Sequence, residues 1–180
     1  MKSETIGKGS DFKEIDIKAL KINPFAMLDD EWALVSAGNA GKFNTMTISW
    51  GAMGIMWNKP VALVFLRPQR YTKEFLDSLD LFTVSFYPAD YKKALEILGA
   101  KSGRDSNKIS ESGLTPYFVD GTVAFGEAHT VFVCRKLFGG QQLEASKFVD
   151  ARLDTAMYPD KDHHFLYFGE IKKALVCKST

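Results

Sequence analysis

The sequence predicts a mainly β protein, a mostly antiparallel barrel with helices at its edge, formed as a single domain of 180 residues. A chain of that length suits one domain better than two and needs no metal or disulfide to hold its core. Its apolar segments are short and rich in β-branched and aromatic residues, as strands are. Only one strand–helix–strand unit occurs, which disfavours a doubly wound parallel sheet.

Six strands and two helices are predicted. The strands cover residues 32–37, 45–52, 61–66, 81–86, 122–137 and 165–176. The first helix is expected to begin near Thr72, with three apolar residues on one face, Phe75, Leu76 and Leu79. The second is expected over residues 89–98, between Pro88 and Gly99, with Leu95 and Leu98 turned inward.

Composition narrows the possible functions. The net charge is +1, with 23 basic residues against 22 acidic ones, which argues against a role on nucleic acids or membrane surfaces. Residues 1–11 are polar, unlike a signal peptide, and no apolar run reaches the roughly 18 residues that a membrane span needs. Cys134 and Cys177 lack CxxC spacing, which indicates reduced thiols, and no metal-ligand cluster is recognisable. We therefore expect a cytoplasmic protein without a metal site.

The strand that follows Asn44 has the most informative pattern. Because strand side chains alternate, one face should carry Met46, Ile48 and Trp50. The opposite face is small, hydroxylated and neutral, and consists of Thr45, Thr47, Ser49 and Gly51. A flat heterocycle could lie close to the backbone on such a face, with hydroxyls at its polar edge. A solvent-exposed edge strand would show the same pattern, and the 13% aromatic content fits either a filled β core or a planar-ligand site.

Two basic segments are candidates for binding phosphate. Arg67 and Arg70 lie where a strand leads into a helix at Thr72, and a helix N-terminus with arginines attracts phosphate. Alternatively, Thr72 only caps the helix and the arginines are solvated. A later segment carries Lys101, Arg104 and Lys108, which would share one face if it were helical, although Gly103 makes a structured loop equally possible.

Together these residues resemble the flavin reductase-like proteins, whose domain is the FMN-binding split barrel. Three motifs carry the resemblance: Asn44-Thr45-Met46-Thr47-Ile48-Ser49-Trp50-Gly51, Arg67-Pro68-Gln69-Arg70-Tyr71-Thr72 and His164-Phe165-Leu166-Tyr167-Phe168-Gly169-Glu170-Ile171. The chain looks most similar to the flavoredoxin-like and small flavin-reductase branch. The resemblance covers residues 24–176, so residues 1–23 would form an N-terminal extension of the single domain.

The resemblance implies a six-stranded antiparallel split barrel that forms a homodimer, with FMN near the subunit interface. It assigns the ring and ribityl contacts to Asn44, Thr45, Met46, Thr47, Ser49, Trp50 and Gly51. It assigns the phosphate and ribityl region to Arg67, Arg70, Tyr71 and Thr72, and a second phosphate contact to Lys101, Ser102, Arg104 and Lys108. Alternation favours Met46 and Trp50 as core residues that offer only backbone contacts.

The C-terminal motif departs from the family pattern. Many members carry an Asp-His pair five residues before Gly-Glu, with the histidine near the nicotinamide end of the flavin site. Here His164 has that spacing to Gly169, but His163 occupies the aspartate position and Asp162 is displaced by one. A carboxylate beside an imidazole raises its pKa and orients it. His164 is thus a candidate catalytic residue whose usual partner is displaced, and two partly exposed histidines are the alternative.

Three functions remain open at this level. The first is an oxidoreductase that passes electrons from NAD(P)H through bound FMN to free flavin or a redox partner. The second is a flavoredoxin-like electron carrier without an NAD(P)H site of its own. The third is a barrel that is kept for assembly and binds no flavin.

Overall fold

The computed structural model describes residues 12–178, so the predictions about residues 1–11 lie outside it. Its strands are β1 Phe12–Ile15, β2 Ala33–Asn39, β3 Lys42–Ile48, β4 Gly51–Met56, β5 Lys59–Leu66, β6 Leu81–Phe86, β7 Pro116–Val119, β8 Thr122–Phe125, β9 Thr130–Gln142 and β10 Phe165–Cys177. Its helices are α1 Pro24–Ala26, α2 Tyr71–Ser78, α3 Lys92–Ala100, α4 Lys108–Ser112 and α5 Ala151–Met157. A π-helical turn, Met27–Glu31, continues α1.

One large antiparallel sheet organises the chain, in the order β3-β2-β6-β9-β10-β5-β4. β1 pairs with the C-terminal half of β10, and β7 and β8 form a separate hairpin. The prediction of a mainly β fold with antiparallel strands and flanking helices is confirmed. The two strands at the ends of the sheet, β3 and β4, follow each other in sequence, so the connection at residues 49–50 lies at the opening of the sheet.

Six strands were predicted, and ten are present within residues 12–178: β1 and β7 were not predicted, and two predicted strands are each divided in two. The strand predicted over 45–52 ends at Ile48, and a new strand begins at Gly51, because β3 and β4 pair with different neighbours. The strand predicted over 122–137 is divided between β8 and β9. At the break, the Gly126 amide donates to the Thr115 carbonyl and the Glu127 carboxylate accepts from the Thr115 amide, so this backbone leaves the ladder.

The two predicted helices are present with altered ends. α2 begins at Tyr71, close to the prediction, but Leu79 ends it and is exposed. Over 89–98, the first three residues form a 3₁₀ turn and the α-helix runs from Lys92 to Ala100, with Leu95 and Leu98 buried as predicted. Gly99 therefore lies inside α3. A Cβ there would come within 3.1 Å of the Thr47 Cβ, so the glycine permits close packing of α3 on β3.

The core has two parts, one on each face of the sheet. The first contains inward-facing residues of the barrel strands, including Val35, Met46, Val64, Phe86 and Phe132. The second lies beneath α3 and the β7–β8 hairpin and includes Leu34, Leu95, Leu98, Phe125 and Val131. No helix within residues 12–178 is long and apolar enough to cross a membrane.

Candidate flavin site

A cleft of about 180 Å³ opens beside the connection between β3 and β4. Its lining residues are Met46, Thr47, Ile48, Ser49, Trp50, Phe65, Arg67, Arg70 and His164. Seven of these were predicted from the sequence as site residues, although they come from three distant segments. The ends of β3 and β5 and the beginnings of α2 and β10 converge here, since Phe165 pairs with Leu66 in the sheet.

On the hydroxylated face of β3, the hydroxyls of Thr45 and Thr47 are bonded to other parts of the protein. Thr45 is fully buried, and its hydroxyl donates to the Val35 carbonyl at 3.2 Å and lies 2.7 Å from the Ser36 hydroxyl. Thr47 lines the cleft, but its hydroxyl donates to the Leu95 carbonyl of α3. The prediction that this face is free for a ligand is therefore wrong for the Thr45 side chain, because α3 and β2 use the hydroxyls of this face.

The residues predicted to share the core-facing side differ from one another. Met46 and Ile48 are buried in the barrel core, as alternation predicts. Trp50 is instead 45% exposed at the rim of the cleft, because the strand ends at Ile48 and alternation no longer applies. Its ring lies 5.2 Å from that of His164, between centroids. Trp50 thus offers an indole surface to the cleft rather than packing in the core.

Arg67 is held by an ion pair. Its Nη1 donates to the Asp162 carboxylate, its Nη2 donates to the Met157 carbonyl at 2.9 Å, and its guanidinium lies 5.2 Å from the centre of the Tyr158 ring. Gln69 also donates to Asp162, at 2.8 Å. Hydrogen bonds from Gln69 and Arg67 hold the pKa of Asp162 below its ordinary value. The charge of Arg67 is consequently neutralised on the protein itself.

Arg70 and Lys108 are the predicted phosphate-binding cations that have no carboxylate partner within residues 12–178. Arg70 donates to the Gly99 carbonyl at 2.8 Å. Lys108 is only 3% exposed and donates to the Leu98 and Lys101 carbonyls at 2.8 and 3.1 Å, at the C-terminus of α3. Burial, with a further contribution from the charge of Arg70, lowers the pKa of Lys108 to about 8. Both cations are thus held by carbonyls at the C-terminal end of α3 rather than by carboxylates.

The segment 101–107 is a loop, so the helical alternative for its cations is wrong and α4 begins only at Lys108. Lys101 pairs with Glu111, and Arg104 pairs with Glu74 while lying 4.7 Å from the centre of the Tyr71 ring. The Ser102 hydroxyl accepts from the Arg104 amide at 3.2 Å. Asn44, Arg104 and Lys108 line a second, polar pocket of about 470 Å³.

Asn44 joins this second pocket to α2. Its side-chain amide donates to the Thr72 hydroxyl at 2.9 Å, and both residues are buried. Thr72 is therefore not the cap of α2; Arg70 occupies that position without a side-chain hydrogen bond. At Gly103 a Cβ would lie 2.3 Å from the Asn44 side-chain oxygen, so the glycine allows the loop to approach the strand.

His164 has a tyrosine as its partner. Its Nδ1 lies 2.9 Å from the Tyr158 hydroxyl, and it is largely buried. Burial, and next the charge of Arg67, lower the pKa of His164 to about 4, so its imidazole is neutral at physiological pH. The nearby carboxylates have other partners, since Asp162 binds Arg67 and Asp154 binds His163 at 2.5 Å.

Sequence reasoning missed Phe65 and Tyr158, which line or support the cleft, and it noted Asp162 only as a displaced partner of His164, not as the partner of Arg67. It also missed an adjoining cavity of about 800 Å³, which shares Ser49, Trp50 and Phe65 with the cleft and includes Gly51 in its lining. Phe65 could have been found as a half-buried strand residue two positions before Arg67. Tyr158 lies in a long segment without periodicity, and no sequence signal pairs Asp162 with Arg67 at the end of β5.

Comparisons with known proteins agree with this architecture. A family model described as flavin reductase like domain matches residues 30–179. An FMN-binding domain of a flavin reductases-like enzyme from Shewanella baltica OS155 has a TM-score of 0.67 at 16% identity, covering 95% of this chain and 80% of its own. No curated protein sequence matches this chain significantly.

Two further solved structures have similar folds. Flavoredoxin from Methanosarcina acetivorans has a TM-score of 0.63 at 21% identity, covering 88% of this chain and 75% of its own. An NADH:FAD oxidoreductase from Streptomyces globisporus C-1027 has a TM-score of 0.60 at 14% identity, covering 83% and 77%. At these identities the likeness shows the fold alone, and it confirms the predicted split barrel.

The neutral state of His164 makes the free energy of unfolding depend on pH. The pKa of about 4 in the folded protein lies below the ordinary 6.5, so the unfolded chain binds more protons between these values. The contribution of His164 to the free energy of unfolding is fully present above pH 6.5 and is lost as the pH drops towards 4. The loss is on the order of 3 kcal/mol, at about 1.4 kcal/mol per pKa unit. Urea unfolding at a series of pH values measures this loss. In His164→Gln, which keeps a hydrogen-bonding partner for Tyr158, the loss should shrink; an unchanged pH dependence would contradict the assignment.

Proposed function

This chain belongs to the flavin reductase-like domain family, and we propose that it is a cytoplasmic FMN-binding oxidoreductase. In this proposal electrons pass from NAD(P)H through bound FMN to free flavin or to a redox protein. The observation that carries it is the cleft at the β3–β4 connection, where Trp50, Phe65, Arg70 and His164 converge with the end of β3. Aromatic walls and a cationic end are what a flat ring bearing a phosphate requires.

The dimensions of the cleft fit FMN only together with the adjoining cavity. Small-ligand sites usually measure roughly 300–1,000 Å³, and the cleft alone is about 180 Å³. The adjoining cavity of about 800 Å³ begins at the same three residues, Ser49, Trp50 and Phe65. A ring system that lies against Trp50 and Phe65 can extend into this space, while its ribityl chain follows the cleft towards Arg70.

The charge distribution favours a phosphate at the Arg70 end. Within residues 12–178, Arg70 donates only to a backbone carbonyl, and its charge already lowers the pKa of Lys108. An anion placed there would relieve the repulsion between the two cations. Arg67, the stronger candidate from the sequence, has its charge satisfied by Asp162. We therefore assign the phosphate to Arg70. Lys108 would act on it only by long-range electrostatic attraction, because its amine is buried and already donates to two backbone carbonyls.

When bound, FMN would supply the acceptance of a hydride at N5 and the transfer of its two electrons, together or one at a time, to an acceptor. The residues of this chain position the cofactor and control its surroundings. Neutral His164, fixed by Tyr158, brings no charge to the cleft and leaves its Nε2 for one hydrogen bond. We keep His164 as the candidate catalytic residue, in a hydrogen-bonding role.

An electron carrier without its own NAD(P)H site is the second candidate function. The observation that favours it is the pairing of the two carboxylates near the histidines: Asp162 binds Arg67, and Asp154 binds His163. His164 thus lacks the carboxylate that the family pattern places beside it. Its orientation depends on Tyr158 instead, which cannot raise the basicity of the imidazole as a carboxylate does.

Replacing Arg70 by Gln should weaken FMN binding by about 1.5–3 kcal/mol, because a charged hydrogen bond to phosphate is lost. Riboflavin lacks the phosphate, so its affinity should stay unchanged. Titration with quenching of flavin fluorescence measures both constants. Arg152→Gln, a charge removal at an exposed position of α5, is the matched control. An equal loss for FMN and riboflavin would place the phosphate elsewhere, with Arg104 the next residue to test.

Rapid mixing with NADH or NADPH without oxygen separates the two candidate functions. The oxidoreductase proposal expects the visible flavin absorbance of the FMN-loaded protein to bleach much faster than that of free FMN at equal concentration. If neither nucleotide reduces the bound flavin faster than free FMN, the NAD(P)H donor is wrong. Reduction by a redox protein under the same conditions would then support the carrier.

We also propose that the protein is a homodimer with FMN near the subunit interface. The outer face of β4, β5, β9 and β10 exposes Met56, Trp57 and Phe138, and both aromatic rings contact Phe168, with centroids 5.5 and 6.1 Å apart. Trp57 has φ 49° and Asn58 has φ 58°, a backbone shape that favours Asn or Gly over a bulky residue. Trp57 adopts this unfavourable backbone conformation and still exposes its indole, which supports a contact surface at this position.

Trp57→Asn should weaken the dimer while preserving the fold, because asparagine suits a positive φ better than tryptophan. Sedimentation velocity over a range of concentrations measures the mass. We expect the unmodified protein at twice its chain mass of 20.1 kDa and the variant shifted towards the single chain. Leu153→Asn, an exposed apolar residue on α5, should leave the dimer intact. A single-chain mass for the unmodified protein at all concentrations would refute the dimer.

A further inference from the structure

The two neighbouring histidines of the C-terminal motif have different hydrogen-bonding surroundings. The Nε2 of His163 lies 2.5 Å from the Asp154 carboxylate and its Nδ1 lies 3.1 Å from the Lys161 carbonyl, so both of its nitrogens face acceptors. His164 contacts no carboxylate. Its Nδ1 lies 2.9 Å from the Tyr158 hydroxyl, and its Nε2 has no hydrogen-bond partner within residues 12–178. The hydrogen on the His164 ring therefore depends on what Tyr158 does.

The Tyr158 ring is held by contacts on several sides. It is stacked on the His163 ring, with centroids 4.6 Å apart, and the Phe148 ring lies 5.8 Å away. The Arg67 guanidinium lies 5.2 Å from its centre. Tyr158 directly follows α5 and is buried. Packing thus fixes the position of its hydroxyl relative to His164.

The hydrogen between Tyr158 and His164 belongs to the phenol. Burial raises the pKa of Tyr158, so its oxygen keeps a hydrogen at physiological pH. Within residues 12–178, the acceptor bonded to this hydroxyl is the Nδ1 of His164. If Nδ1 carried a hydrogen instead, the hydroxyl hydrogen would be buried without an acceptor, which is unfavourable. Tyr158 therefore donates, and Nδ1 accepts.

The other ring nitrogen of His164 is then a donor. Burial lowers the pKa of His164 to about 4, and a neutral imidazole carries one hydrogen, which must lie on Nε2 when Nδ1 accepts. His164 lines the cleft beside Trp50, and the cleft has further apolar walls from Met46, Ile48 and Phe65. An N–H without a protein partner between such walls favours an occupant that brings an acceptor.

We propose that Tyr158 is a positioning residue that fixes His164 as its Nε2–H tautomer, so that the cleft presents a neutral hydrogen-bond donor to its occupant. The group received there is an acceptor of the carbonyl or imine type, which a flavin ring carries. An aspartate beside the histidine would have the opposite effect, because it holds the hydrogen on Nδ1 and leaves Nε2 as an acceptor. The inference rests on the proposed function only for the occupant, since the tautomer is a property of the protein alone.

The tautomer of His164 can be measured without flavin. The chain contains three histidines, so long-range proton–nitrogen correlation spectra of protein with isotope-labelled histidine distinguish each ring. At neutral pH we expect the Nδ1 of His164 to resonate as an unprotonated nitrogen that accepts a hydrogen bond, and the Nε2 as a protonated one. A hydrogen on Nδ1 in the unmodified protein would overturn the proposal.

Tyr158→Phe keeps the packing of the ring and removes only the hydroxyl. It should change the ratio of the two His164 tautomers by roughly fivefold, the factor that one ordinary hydrogen bond contributes. Tyr87→Phe, a hydroxyl removal at a buried tyrosine in the second part of the core, is the matched control and should leave the His164 signals unchanged. An unaltered tautomer ratio in Tyr158→Phe would refute the role of the tyrosine.

Two variants of His164 test the donor on the side of the cleft. Glutamine can accept from Tyr158 through its amide oxygen and donate from its amide nitrogen, whereas leucine can do neither. We expect His164→Leu to weaken FMN binding roughly fivefold and His164→Gln to retain the affinity, measured by quenching of flavin fluorescence. In the unmodified protein, FMN should also shift the Nε2 signal of His164.

The outcomes separate this inference from the proposed function. Equal FMN affinity of the unmodified protein and His164→Leu, with an unshifted Nε2 signal, would overturn the donor role. Absence of FMN binding in the unmodified protein, with the Nε2–H tautomer present and sensitive to Tyr158→Phe, would refute the proposed function and support the assignment of Tyr158.

Discussion

The ion pair between Arg67 and Asp162 determines much of the site. It ties the end of β5 to the segment before β10 and brings Tyr158 beneath the guanidinium. Tyr158 in turn fixes the imidazole of His164. Because Asp162 is used in this way, it cannot serve as the carboxylate partner of His164, and Arg67 cannot act as a free cation. This pairing leaves His164 without a carboxylate partner, and in the proposed function it leaves Arg70 as the candidate for binding the phosphate.

Local patterns predicted most strands and the buried face of α3, because alternation and helical spacing are properties of neighbouring residues; the short strands β1 and β7 were missed. They failed at Trp50, where Thr47 and Ser49 suggest an uninterrupted strand. The strand ends before Trp50 because β3 pairs with β2 whereas β4 pairs with β5. These pairings involve distant segments of the chain and cannot be deduced from neighbouring residues. The same limit applies to Thr45, whose hydroxyl looked free for a ligand and is instead bonded to β2.

The candidate site was predicted in its residue types better than in their roles. The pattern of two arginines near a helix start correctly brought Arg67 and Arg70 to one cleft. Which of the two has a free charge depends on Asp162, which lies 95 residues beyond Arg67 in the chain. Similarly, the basic residues of the 101–108 segment converge near α3, but Lys101 and Arg104 are paired with glutamates while Lys108 is buried. Charge patterns identify candidates, and only the fold shows which charges remain uncompensated.

The central claim is that FMN lies with its ring against Trp50 and Phe65 and its phosphate at Arg70. A crystal structure of the protein grown with FMN tests this most directly. We expect the ring between the cleft and the adjoining cavity of about 800 Å³, with a phosphate oxygen within hydrogen-bonding distance of the Arg70 guanidinium. A flavin bound elsewhere on the chain, or crystals that remain colourless in excess FMN, would contradict the account.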